Sequence, residues 1–113
     1  MKKIVIIVIL SFFVLSLNSL VLAINEELLT VTPLGVSINE SSIAIICENN
    51  DKIFYVSGYR YAGGRPINAK AEALIRAKIA DKKDKTIKIT GYFLSDKEFE
   101  LKTLEAYEIK VQY

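Results

Sequence analysis

The residues best suited to chemistry in this 113-residue chain are tyrosines and arginines gathered in one short stretch. Tyr55, Tyr59 and Tyr61 recur at even spacing, which puts them on one face of an extended strand. Arg60 and Arg65 stand close by, and Tyr92 lies in a second β-rich run that can reach the same sheet. Flat aromatic rings stack on sugars and nucleic-acid bases, and guanidinium groups hold anions. This is the chemistry of recognition rather than of bond breaking. The same tyrosines also suit a structural role, because tyrosine is a favoured strand residue.

Most catalytic chemistry has no residues to run on. The chain contains no histidine, which excludes a His-dependent triad, a His metal site and histidine acid–base catalysis. A single cysteine and no clustered carboxylates leave no zinc or calcium pattern. Gly63-Gly64-Arg65-Pro66 lacks the Gly-Lys-Ser/Thr ending of a phosphate loop and reads as a turn before a helix. Asp96 and Glu98 flank Lys97 in a turn and form no acid–base dyad. The expectation is a non-catalytic protein with no cofactor and no metal.

The elements that must position the tyrosines form a strand–helix–strand core from Lys52 to Leu94. Ile53 to Tyr61 is β-rich. In Thr86 to Leu94, Ile87, Ile89, Gly91 and Phe93 fall on one face and Thr86, Lys88, Thr90 and Tyr92 on the other. Between them the period changes. Ile67, Ala71, Leu74, Ile75 and Ile79 make one stripe on a helix running from Ile67 to about Lys82. Pro66 suits its first position and Asn68 an N-cap.

Upstream, Leu28 to Ile38 reads as a bent strand kinked or set at an edge by Pro33, whose nitrogen has no proton to donate. Ser42 to Cys47 is a short strand, and Glu48 to Asp51 a polar hairpin loop. Cys47 alternates with Ile43 and Ile45, so a buried, inert thiol is expected. Downstream, Phe99 and Leu101 share a register with Glu105, Tyr107, Ile109 and Val111. Burying Glu105 unpaired is costly, so a bulge or break is expected near Thr103 to Ala106.

The order is strand, strand, strand, helix, strand, strand in a mainly β chain. It resembles the OB-fold, a five-stranded barrel with its helix between strands three and four. Thr86 to Gly91, Phe99 to Leu101 and Ile109 to Val111 look like the closing hairpin of small exported bacterial OB-fold proteins. The resemblance implies a binding fold and leaves the ligand open. An open α+β sheet with one packed helix fits the same order.

Met1-Lys2-Lys3, an apolar run from Ile4 to Leu17 and Val21-Leu22-Ala23 have the parts of a secretory signal peptide. Cleavage would leave one domain, 24–113, periplasmic or secreted, with no transmembrane segment. An uncleaved anchor is the alternative. Loss of Lys2 and Lys3 takes the 15 basic residues to 13, against 13 acidic, so the exported chain is neutral. Its charge is segregated. Ile24 to Asp51 has five acids and no base, whereas Lys52 to Lys88 has ten bases and three acids. An acidic N-terminal hairpin beside a basic middle would neutralise this internally. A basic face for an anionic partner is the other reading.

Two functions follow. One is an exported binding module whose Tyr/Arg sheet face takes an anionic or carbohydrate ligand, carried by Tyr55, Tyr59, Arg60, Tyr61, Arg65 and Tyr92. The other is a structural or interaction component of the cell envelope whose partner is another envelope protein. Tyrosines pointing outward together favour the first, and tyrosines turned under the helix the second.

Overall fold

The computed structural model describes residues 25–113, and the segment read as a signal peptide lies outside them. The elements are β1 (Glu27–Ile38), β2 (Ser42–Asn49), β3 (Lys52–Tyr59), α1 (Arg65–Ala80), β4 (Ile87–Ser95), β5 (Glu98–Ala106) and β6 (Ile109–Gln112). Antiparallel pairings run in the order β3-β2-β1-β4-β5-β6, and a short parallel pairing of β3 with β5 closes the first five strands into a barrel. The Tyr55 amide seals that junction by donating to the Lys97 carbonyl at 2.7 Å. This is the OB-like barrel that the element order implies, rather than an open sheet. β6 is an additional strand, paired with β5.

Alternation fills the interior. Ile43, Ile45 and Cys47 of β2 point inward, as do Phe54 and Val56 of β3 and Ile87 and Ile89 of β4. Burial pushes the Cys47 thiol up to about 12, so it stays protonated at neutral pH. At one end of the barrel Phe54, Phe93 and Phe99 pack as a tilted cluster, with Phe93 and Phe99 edge to face at 5.0 Å.

Irregularities sit where the sequence pattern slips. β1 pairs with β4 up to Val31 and with β2 from Thr32 onward. The change of partner is followed at once by a register shift between Pro33 and Gly35, so Pro33 marks a kink in a part of β1 that pairs with β2 alone. In β5 the register against β4 skips Lys102. That bulge moves the buried positions from Phe99 and Leu101 to Leu104 and Ala106 and turns Glu105 off the core face. It lies one residue before the expected range. The strand itself breaks later, at Tyr107-Glu108, where φ values of 53° and 63° make a two-residue hairpin into β6.

The helix starts earlier than its apolar spacing indicates. Gly64 occupies the N-cap position without a side-chain cap, and Pro66 lies in the first turn. Asn68 is not the cap. It is fully buried inside the helix, where its Nδ2 donates to the Asn39 carbonyl at 3.3 Å. The buried stripe is Asn68, Ala71, Ile75 and Lys78, with Ile67, Leu74 and Ile79 only partly covered. Two polar residues close the ends of that stripe: Asn68, whose Oδ1 has no partner although its Nδ2 does, and Lys78, which pairs with Asp84.

Candidate functional site

β3 alternates cleanly, with Phe54, Val56 and Gly58 buried and Ile53, Tyr55 and Tyr59 exposed. Tyr55 and Tyr59 are 54% and 65% exposed, so both rings lie on the outside of the barrel. Their surroundings follow from the register. Tyr59 stands opposite Ser42, Ser57 opposite Ala44, Tyr55 opposite Ile46, and Ile53 opposite Glu48. One strand further, Ala44 faces Ser37 and Ile46 faces Gly35. On the β2 side small uncharged residues thus separate two exposed tyrosines and Glu48 brings a charge, while on the β5 side Glu98 stands beside Tyr55 and Glu100 beside Ser57.

The tyrosine column leads into a cleft of about 920 Å³ between the β2–β3 and β4–β5 hairpins. Ile53, Phe54, Phe93 and Leu94 give it an apolar lining, and Asn49, Asn50, Lys52, Asp96 and Lys97 give it polar groups. An apolar concavity with a few polar groups is the usual form of a ligand site. Asn50 and Asp51, at φ 51° and 65°, shape the hairpin on its β2–β3 side. Ile46, Ile53 and Leu94 were missed as site residues by sequence reasoning. Outward parity in strands beside Tyr55 was the signal that would have found Ile46 and Ile53.

The remaining candidates go elsewhere. Tyr61 is 98% exposed but lies beyond the end of β3, so it does not share the face of Tyr55 and Tyr59. Arg60 has the opposite parity to Tyr59, and its side chain lines a separate groove with Ile67, Lys70, Lys110, Val111 and Gln112. Arg65 is exposed at the first turn of α1. Tyr92 is two strands away, in the row Ser57–Glu100–Tyr92 across β3, β5 and β4. Its hydroxyl donates to the Glu100 carboxylate, which raises its pKa. The structure therefore brings Tyr55 and Tyr59 together and separates them from the arginines and from Tyr92.

The charge segregation resolves in a similar way. Among the described residues the ion pairs are Arg76–Glu72, Lys78–Asp84 and Lys102–Glu26. Two lie within the basic middle and the third joins Glu26 to β5, so no N-terminal acid pairs with that middle. The Lys78 ammonium is buried, bonds Asp84 at 3.1 Å and lies 4.4 Å from the centre of the Tyr107 ring. The Tyr107 hydroxyl donates to Asp81 at 2.9 Å. Hydrogen bonds from the Thr86 hydroxyl and amide, then Lys78, lower the Asp84 carboxyl to about 2. These contacts hold the end of α1 on the β5–β6 turn and anchor Tyr107 in its left-handed conformation. They are internal structure.

Comparison with family models, with curated proteins and with solved structures finds no match to this chain.

Proposed function

We propose that this is an exported, non-catalytic binding module that takes an extended carbohydrate chain across the outer face of β2 and β3. One observation carries the reading: Tyr55 and Tyr59 are exposed in one column, with uncharged Ser57, Ala44 and Ile46 on one side and the Glu98 and Glu100 carboxylates along the β5 side. Aromatic faces stack against sugar rings, and the exposed Glu98 carboxylate beside Tyr55 is an acceptor for sugar hydroxyls. A nucleic acid would need cations along its phosphates, and this wall supplies none. The two rings are four positions apart, about 13 Å along a strand, which favours a chain of units over a single sugar. The cleft at Phe54, Phe93 and Leu94 continues the surface and provides an end site.

Export rests on the basic start, apolar core and Val-Leu-Ala ending of residues 1–23. The resemblance of the closing hairpin to small exported bacterial OB-fold proteins supports a binding fold and leaves the ligand open. Intact-mass analysis from the native host should find a chain beginning at Ile24, and a mass retaining Met1 to Ala23 would support an anchor instead. The binding test is calorimetric titration with neutral oligosaccharides of glucose, galactose and N-acetylglucosamine. One class should bind wild type, and Tyr55→Ala and Tyr59→Ala should each weaken it about tenfold, the loss of a stacking contact. Failure of every class to bind, or equal binding by both variants, rejects the reading.

A further inference from the structure

A second site of different chemistry lies away from the tyrosine wall. Arg60, Lys70 and Lys110 line a groove of about 410 Å³ between α1 and β6, with Ile67, Val111 and Gln112 completing it. Every charged residue of that lining is a cation. None of the three forms an ion pair among the described residues, although Glu105 stands opposite Lys110 in the β5–β6 register. Of the other cations of α1, Arg76 pairs with Glu72 and Lys78 with Asp84, whereas Arg65, outside the groove, has no ion pair among the described residues.

The groove is also partly pre-ordered. Arg60 is tied down through its amide, which donates to the Ser41 carbonyl at 2.8 Å. Its stem lies flat on buried Gly64, where an added Cβ would come within 2.8 Å of the Arg60 Cβ and 3.5 Å of its Cδ. A fixed stem delivers the guanidinium with less entropy to lose on binding. Beneath the cations, Val111 is buried and Ile67 half-buried, so the floor is apolar. β6 pairs with β5 alone, which leaves its other edge toward the groove.

We propose that this groove binds a phosphate-type oxyanion, held by Arg60, Lys70 and Lys110. Unpaired like charges around one concavity repel one another, and an anion relieves that repulsion while accepting their hydrogen bonds. The site is independent of the carbohydrate reading, because it shares no residue with the β2–β3 wall. The phosphate could belong to a soluble ligand or to a lipid headgroup.

The experiment is a pyrophosphate titration followed by amide chemical shifts at 50 and 200 mM salt. Shifts should concentrate at Ile67, Lys70 and Lys110 to Gln112, saturate, and weaken at the higher salt. Arg60→Gln and Lys70→Ala should each bind about fivefold more weakly, the scale of one exposed charge contact. Both are exposed positions, and unchanged thermal melts would show that the fold is intact. Lys97→Ala, in the cleft, and Tyr55→Ala, on the wall, should bind pyrophosphate as wild type does. Vesicles containing phosphatidic acid separate the two sources. Groove-dependent binding to them identifies a headgroup, and pyrophosphate binding without it a soluble phosphate. Shifts scattered over all lysines, or unchanged affinity in both groove variants, would overturn the proposal. So would an acidic peptide that outcompetes pyrophosphate there, which would make the groove a protein-docking site.

Discussion

The outer wall of the barrel is made in two ways. On β4 and β5 the outward residues are matched across strands: Lys88 stands opposite Glu105, Thr90 opposite Thr103 and Tyr92 opposite Glu100. The Thr90 and Thr103 hydroxyls hydrogen-bond, Tyr92 bonds Glu100, and Lys102 pairs with Glu26. On β2 and β3 the rows are Tyr59 with Ser42, Ser57 with Ala44 and Tyr55 with Ile46. Those β2 partners are too small or too apolar to satisfy a tyrosine hydroxyl, and on the β5 side only Glu98 stands beside Tyr55. Cross-strand pairs are what stabilise a sheet surface, so the first wall is complete by itself. The second leaves aromatic area facing water, and the proposed binding surface rests on that difference. Two tyrosines of the same chain illustrate the point, because Tyr92 is used internally and Tyr55 is not.

This contrast has consequences for stability. The matched wall depends on a close approach of β4 to β5 at Gly91, where an added Cβ would lie 1.8 Å from the Glu100 carbonyl oxygen. Gly91→Ala should therefore cost about 4 kcal/mol or prevent folding, as measured by urea melts. A loss under about 1 kcal/mol would mean the two strands are not locked as described. Ile75, fully buried beneath the helix, should cost ~2–5 kcal/mol as Ile75→Ala. Leu74 is only partly covered, so Leu74→Ala should cost about half as much. Equal losses would put the centre of the buried stripe back between Leu74 and Ile75 and away from Lys78.

A pH series tests whether the Lys78–Asp84–Tyr107 cluster is internal structure as stated. The folded Asp84 carboxyl is lowered from 3.8 to about 2. A depressed carboxyl stabilises the fold once ionised, so its contribution is full above about pH 4 and fades as pH falls toward 2. Wild type should melt above Asp84→Asn at pH 6, and the gap should close between pH 4 and pH 2. A gap that does not change over that range would deny Asp84 its role. The smallest stability effects belong to the unmatched wall. Tyr55→Ala and Tyr59→Ala should each change stability by no more than about 0.5 kcal/mol, because both rings are more than half exposed.

Much of the fold was legible in the residues. Two-residue alternation in Ile87 to Ile89 and Phe54 to Val56, and a helical stripe between them, fixed the order of elements. That order suits both an OB-like barrel and an open sheet, and the β3–β5 pairing that closes the barrel was not legible. The misfit of Glu105 located a bulge to within a residue. What escaped detection were features that depend on partners distant in sequence. Asn68 occupies a core position because the Asn39 carbonyl meets it, and Lys78 because Asp84 and the Tyr107 ring do. Neither partner is visible in a helical period. The β5–β6 hairpin was missed because Tyr107-Glu108 is not a pair that signals a left-handed turn. At the site, closeness in sequence grouped Arg60 with Tyr59, whereas strand parity places them on opposite sides. Tyr61 was carried onto the face by counting past the last strand residue, Tyr59.

The central claim is that the unmatched wall, and not the matched one, meets the ligand. The most direct measurement maps amide chemical shifts while a bound neutral oligosaccharide is titrated into the wild-type protein. The account predicts shifts confined to Ser42–Asn49, Lys52–Tyr59 and the cleft residues Phe93 and Leu94, with Lys88, Thr90, Glu105 and the α1–β6 groove unmoved. Shifts centred on Tyr92 and Glu100, or in the groove of Arg60 and Lys70, would contradict it.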